Sequence, residues 1–178
     1  MAVHEKTPVR QQTLSVLVEN RSGVLSHISG LFSARGFNID SLAVGETQDP
    51  TMSRITLVVT GDQKTIEQIK KQLNKLIDVI KVQEITEDNT VNRELMLVKF
   101  KTTPKLKESL RALVGERRIR VIEENPDTTV VECTESRQNA KKFFELFDQI
   151  GILEIARTGT VALSRELPKS LVTPVLPE

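Results

Sequence analysis

Glu19-Asn20-Arg21-Ser22-Gly23-Val24-Leu25 joins two kinds of periodicity, and that junction decides the fold. Before it, Leu14, Val16 and Val18 alternate with Thr13 and Ser15, the two-residue beat of a strand. After it, Val24, Leu25, Ile28, Leu31 and Phe32 fall on one stripe at helical spacing. Ser22 is the expected N-cap and Gly36 the expected left-handed C-cap of a helix over 23–35. The first turn of such a helix has unpaired N–H groups and the positive end of a dipole. A small carboxylate can dock there without a catalytic side chain, and Gly23 lets it come close to the backbone. The junction reads as a sensing site rather than a reacting one.

Outward from this stretch, a second strand is expected from Phe37 to about Gly45. A third runs from about Ser53 to Thr60, after a turn at Gln48-Asp49-Pro50-Thr51. A second helix opens after Asp62 with Ile66, Ile69, Leu73, Leu76 and Ile77 on one side, and a strand over 79–85 closes the unit. The order is βαββαβ. The remainder repeats it: a strand over 94–101, a helix after Pro104 with Leu106, Leu110, Leu113 and Val114, then a hairpin around Asn125-Pro126-Asp127-Thr128. A helix with Ala140, Phe143, Phe144, Phe147 and Ile150 follows, and a last strand lies within 152–163. The fold class is therefore α+β: two ferredoxin-like βαββαβ domains in tandem, with antiparallel sheets and helices on one face. The expected division is a flexible N-terminus over 1–12, a first domain over 13–86, a polar linker over 87–92, a second domain over 93–166 and a disordered tail over 167–178. Leu17, Leu42 and Val44 are expected on the sheet face away from the helices, with Val16, Ile39 and Ala43 facing them. A second sheet or another subunit should cover that face. Units of about 80 residues are marginal alone, so a homo-oligomer, a dimer first, is expected.

Composition narrows the function. Of 178 residues 28% are charged, yet the formal net charge is only +1, so no basic excess points to nucleic acid or an anionic membrane. The apolar runs are too short to span a bilayer, and 1–12 lacks the apolar stretch of a secretory signal, which favours the cytoplasm or, after processing, an organelle stroma. The single cysteine, Cys133, stands in a strand-like run and reads as a buried structural thiol. His4 and His27 have no second His or Cys at metal-ligand spacing, and His27 reads as a solvated helix residue. Neither a dinucleotide-binding glycine loop nor a phosphate-binding loop is present. RNA-binding modules share the element order, but they stack bases on sheet aromatics, and here the strands offer only Phe37 and Phe100. No catalytic residue and no metal ligand is assigned.

The motifs resemble a known family. Asn20-Arg21-Ser22-Gly23-Val24-Leu25, then the run from Leu31 through Arg35-Gly36-Phe37-Asn38-Ile39-Asp40 to Leu42, is similar to the ACT domain of the small, regulatory subunit of acetohydroxyacid (acetolactate) synthase. Ser53-Arg54, Gly61-Asp62, the helix over 68–75, Arg93-Glu94-Leu95 and the late Glu154-Ile155-Ala156-Arg157-Thr158-Gly159 extend the likeness over 13–165. The resemblance implies a non-catalytic partner of a thiamine-diphosphate enzyme at the first common step of branched-chain amino acid synthesis. It implies activation of the large subunit and feedback inhibition by an end product, commonly valine. Thiamine diphosphate, magnesium and FAD would belong to the large subunit; this chain would carry no cofactor.

In that family the effector lies between two ACT domains, and its site maps here onto Asn20, Gly23, Val24, Leu25, Asn38 and Ile39. The N–H groups of Gly23, Val24 and Leu25 would meet the carboxylate. The two asparagine amides would accept from the ammonium or donate to the carboxylate, and Val24, Leu25 and Ile39 would wall a branched side chain. The second repeat has Thr102-Thr103-Pro104 at the matching place, and proline offers no N–H, so that half reads as a dimerisation and partner-contact domain. Val114-Gly115-Glu116-Arg117-Arg118 departs from the family pattern, and Arg157-Thr158-Gly159 reads either as a partner contact or as a bend in the final strand. The rivals are an ACT sensor of glycine or serine acting elsewhere, and an enzyme.

Overall fold

The computed structural model describes residues 8–86, 89–115 and 119–166. The first unit runs β1 (Arg10–Glu19), α1 (Val24–Ala34), β2 (Ser41–Glu46), β3 (Met52–Gly61), α2 (Gln63–Leu73) and β4 (Val79–Ile85). The second runs β5 (Thr90–Lys101), α3 (Pro104–Gly115), β6 (Arg120–Glu124), β7 (Thr128–Glu135), α4 (Arg137–Ile150) and β8 (Ile152–Arg157), with β9 (Val161–Ser164) appended. Each unit is a four-stranded antiparallel sheet, ordered β2-β3-β1-β4 and β6-β7-β5-β8. The tandem ferredoxin-like plan is thus present in both halves.

Strand alternation and helix stripes build one core per unit. In the first, Leu14, Val16 and Val18 of β1 and Ile55, Leu57 and Val59 of β3 meet Val24, Ile28 and Phe32 of α1 and Ile66, Ile69 and Leu73 of α2. In the second, Met96, Val98, Phe100, Val131 and Cys133 meet Leu106 and Leu110 of α3 and Ala140, Phe143 and Phe147 of α4. Each such fully buried aliphatic or aromatic side chain contributes about 1.5–3 kcal/mol. Cys133 is buried and unbridged, as its strand context implies. Side-chain turns close both hairpins: Asp49 Oδ1 accepts from the Thr51 N–H at 2.9 Å, and Asn125 Oδ1 from the Thr128 N–H at 2.8 Å.

Four expectations need correction. β2 starts at Ser41, not Phe37, because Asp40 turns its N–H to the Val58 carbonyl at 2.9 Å only as the chain reaches the sheet edge. Leu42 pairs with Leu57 and Val44 with Ile55, so both lie on the helix side, and Ala43 faces away with Thr56. A later strand start with a one-residue change of register reverses every side chain. Leu42 and Val44 remain 36% and 49% exposed because β2 is an edge strand. α2 stops at Leu73, which leaves Leu76 partly buried and Ile77 87% exposed instead of on the core stripe.

The fourth correction concerns strand ends. β1 begins at Arg10, and β5 begins at Thr90, within the stretch read as linker. The first residues of β5 pair with β9 from Thr90↔Ser164 to Arg93↔Val161, so the expected single last strand is two strands broken at Gly159. This ribbon lies over the helix-free face of the first sheet. Leu163 and Ser164 border a cleft shared with Ser15, Leu17, Arg54 and Lys81, and Ser15 and Leu17 are buried. The chain's own second half therefore supplies part of the cover expected from another sheet. The residues of the tail over 167–178, and Glu116-Arg117-Arg118, lie outside the described residues.

Candidate functional site

The β1–α1 junction starts its helix differently from the expectation. Gly23, not Ser22, is the N-cap, with φ 90° and ψ −16°, and no side chain caps the turn. A positive φ of this size suits glycine, so the residue type follows from the backbone. The His27 N–H reaches the Gly23 carbonyl at 2.9 Å, and the Val24 N–H is 3.5 Å from the Arg21 carbonyl. Among the described residues the N–H groups of Gly23, Leu25 and Ser26 have no backbone acceptor, so the positive helix end is open. At the far end, Gly36 (φ 66°) takes the left-handed place after the Arg35 C-cap, and the Phe37 N–H closes onto the Phe32 carbonyl at 3.0 Å.

A buried carboxylate clasps this junction. Asp78, 2% exposed at the entry to β4, accepts from Arg21 through both Nε (2.8 Å) and a terminal guanidinium nitrogen, and from His27 Nδ1 at 2.8 Å. Its carbonyl accepts the Glu19 N–H at 2.9 Å. The His27 hydrogen bond and then the Arg21 pair hold the Asp78 carboxyl below the usual carboxylate range. One side chain thus ties the turn before Gly23 to the helical turn after it. Sequence reasoning missed this and treated His27 as a bystander. The available signal was an acid between Ile77 and Val79, in a run otherwise apolar from Leu76 to Ile80.

The six predicted residues occupy two places. Asn20 donates its side-chain N–H groups to Glu46 Oε1 at 3.1 Å and the Pro50 carbonyl at 2.9 Å, so its amide oxygen is left as an acceptor. It lines a shallow cleft of about 550 Å³ with Glu19, Arg21, Pro50, Thr51 and Ile80, and the other five residues are not part of that cleft. Gly23 and Leu25 are exposed beside it in sequence, but Val24 is 5% exposed and packs into the core. Val24 can therefore lend its N–H but no apolar wall, which corrects that part of the expectation. Asn38 and the half-buried Ile39 lie at the other end of β2. Asn38 Nδ2 donates to Asp40 Oδ1 at 2.8 Å, and Asp40 Oδ2 accepts from Gln11 at 3.1 Å and Thr60 at 2.5 Å. Desolvation opposes ionisation of Asp40. The hydrogen bonds from Thr60, Gln11 and Asn38, with the field of Arg137, outweigh it and keep the carboxyl low.

That second place rests on the other unit. Gly159 (φ 75°) bends the chain between β8 and β9 against β2: an added Cβ would lie 2.6 Å from Ser41 Oγ and 3.3 Å from the Leu42 carbonyl oxygen. The Thr160 N–H donates to Ser41 Oγ at 3.1 Å. Arg157 donates through Nε to the buried Glu94 at 2.6 Å and lies 5.7 Å from the Phe144 ring centre. Of the two readings of Arg157-Thr158-Gly159, the bend is what the backbone shows, and it seats the second unit on the first.

The matching junction of the second unit is closed. Thr103 Oγ1 accepts the Leu106 N–H at 3.0 Å, the Thr103 carbonyl accepts the Lys107 N–H at 3.1 Å, and Pro104 has no N–H.

A sequence model of the AHAS small subunit-like ACT domain matches residues 14–81, and a model of the small subunit of acetolactate synthase matches residues 93–166. The chain belongs to the acetolactate synthase small-subunit family. The acetolactate synthase small subunits of Mycolicibacterium smegmatis and Mycobacterium leprae are each 44% identical to it over 153 residues, 86% of this chain and 90% of theirs. The crystal structure of the acetolactate synthase small subunit from Thermotoga maritima superposes with a TM-score of 0.80 at 40% identity, covering 89% of this chain and 99% of that one. The family is that of the regulatory rather than the catalytic subunit. Among the described residues no group of three or more His, Cys, Asp and Glu side chains could hold a metal ion, and no helix is long and apolar enough to cross a membrane.

Proposed function

We propose that this chain senses a branched-chain amino acid, valine first, for acetolactate synthase. Unliganded, it raises the activity of the large subunit; with the effector bound, it restrains it. Residues 13–86 would hold the effector, and residues 93–166 would serve dimerisation and partner contact. Thiamine diphosphate, magnesium and FAD would reside in the large subunit, and the pair would work in the cytoplasm. Neither nucleic acid nor a membrane enters this reading.

The observation that carries it is the placement of Asn20 at one end of β2 and of Asn38 and Ile39 at the other. Asn38 and Ile39 precede its start, whereas Asn20 is bonded to Glu46 at its end, about 17 Å further on at about 3.4 Å per residue. No single chain can close both ends on one small amino acid. Among the described residues β2 is an edge strand, paired only with β3, and Leu42 and Val44 are exposed on its helix side. Antiparallel pairing of β2 with β2 of a second copy, about a two-fold axis, would set the start of one strand beside the end of the other. Each effector would then sit between an open α1 N-terminus from one copy and Asn38-Ile39 from its partner. The helix end takes the carboxylate, the Asn20 amide oxygen accepts from the ammonium, and Leu25 with Ile39 receives the branched side chain.

Inhibition requires that the effector bind the restraining arrangement more tightly than the activating one. A hundredfold preference, about 2.7 kcal/mol, shifts a balanced equilibrium almost completely. The test is reconstitution with a purified large subunit. Acetolactate formation should rise on adding the chain and fall again on titrating valine, leucine or isoleucine. A large subunit indifferent to the chain, or a complex indifferent to all three amino acids, would refute the proposal.

A further inference from the structure

The clasp at Asp78 does more than brace a turn. A carboxylate only accepts hydrogen bonds at neutral pH, so the 2.8 Å contact to Asp78 Oδ2 requires the proton of the His27 ring to be on Nδ1. This fixes the tautomer and turns Nε2 outward. That edge lies beside Gly23 at the helix start: Cε1 and Nε2 both lie 4.0 Å from where a Cβ on Gly23 would be. The His27 side chain is 61% exposed, whereas that of Asp78 is 3% exposed, so the ring is anchored on one side and accessible on the other. The charged groups around it are Asp78 at the entry to β4, Arg21 in the turn, which shares Asp78, and Glu19 at the end of β1, 3.0 Å from Arg21. α1 itself carries no other ionisable side chain.

We infer that His27, positioned by Asp78, is part of the recognition of the effector's carboxylate and makes that recognition depend on pH. The inference rests on the effector site proposed above. With a neutral ring, Nε2 is a lone pair and adds nothing for an anion. Once protonated, Nε2–H becomes a donor beside the Gly23 N–H, and the Arg21–Asp78–His27 group changes from net neutral to net positive. An amino acid should therefore bind more tightly as the ring gains its proton. By linkage, bound amino acid should make the ring hold that proton to higher pH. The ligand's own carboxylate and ammonium do not titrate in this range, so the dependence would report the protein.

Calorimetric titration of the full chain with L-valine tests this between about pH 8 and about pH 5.5, the span in which histidine is the ordinary side chain that changes charge. The wild type should bind about three- to fivefold more tightly at the lower pH, the size of one charge at an exposed helix end. His27→Asn keeps a donor near the Nδ1 position for Asp78 but lacks the Nε2 edge, and its affinity should be flat across the same span. Proton NMR of the wild-type imidazole needs no variant, because the chain has only two histidines. Saturating valine should move the His27 titration to higher pH. A wild-type affinity that does not change with pH, or a His27 titration unmoved by valine, overturns the role of His27 while the site stands. A chain that binds valine at neither pH overturns both.

Discussion

The two halves of this molecule repeat one plan, yet their first helices begin in opposite ways. α1 starts at a left-handed glycine with no side-chain cap, and among the described residues the Gly23, Leu25 and Ser26 N–H groups have no backbone acceptor. α3 starts at a proline, with Thr103 covering the Leu106 N–H. Ordinary helices satisfy these donors, and α2 and α4 do so too, through Asp62 on the Thr65 N–H and Ser136 on the Asn139 N–H. Among the described residues three of the four helices are thus capped for stability, and the fourth keeps its donors available. The contrast teaches that a duplicated fold can specialise by changing a cap while its core remains the same.

The largest expected effect breaks the comparison at its edge strand. Val44→Asp puts a charge on the exposed helix-side face of β2, where a second copy would pair. Analytical ultracentrifugation should show dissociation to monomer. Because only dimer would unite the two half-sites, a dimer fraction near 1% lowers apparent valine affinity about a hundredfold. A dimer unmoved by this change would place the interface elsewhere.

A smaller effect separates the two helix starts. Asn20→Leu removes the amide acceptor and should weaken valine binding about tenfold, the value of a hydrogen bond to a charged group. Thr103→Ala should do the reverse. Its loss of the α3 cap costs about 1 kcal/mol in urea unfolding, with calorimetric affinity for valine unchanged. If Thr103→Ala altered binding as much as Asn20→Leu, the division of labour between the halves would be wrong.

The subtlest test concerns the clasp, which among the described residues has no counterpart at the α3 junction. The Asp78 carboxyl is depressed in the folded state, so its contribution to stability is full above its unfolded value and is lost as pH falls through the folded one. Acid unfolding of the wild type should therefore steepen below the ordinary carboxylate range, and Asp78→Asn should remove that share of the steepening. An unchanged acid profile in the variant would mean that the clasp does not strengthen the fold.

Much of this was legible in order. Alternation in Leu14, Val16 and Val18, and helical stripes such as Ile66, Ile69 and Leu73, report local periodicity, which burial on one face imposes directly on sequence. The open helix start was visible in Ser22-Gly23 against Thr103-Pro104, though the cap itself fell on Gly23. Leu42 and Val44 were placed on the wrong face because Phe37 to Asp40, apolar at alternate positions, extend the strand pattern backwards into what is a loop. Val24 was expected to line the site and instead fills the core, since a stripe residue can face only one way.

The sequence by itself determined the repeated βαββαβ plan, the contrast between the Ser22-Gly23 and Thr103-Pro104 helix starts, and the family, because each depends on residues close together in the chain. Tertiary structure alone decided three things: that Asp78 ties Arg21 to His27 across Gly23, that Gly159 wedges the second unit under Ser41, and that Asn20 and Asn38 end up at opposite ends of one edge strand. The partners in the His27–Asp78 bond stand 51 positions apart, and those in the Thr160–Ser41 bond beside Gly159 stand 119 apart. Their meeting is set by strand register and sheet order, which no local pattern encodes.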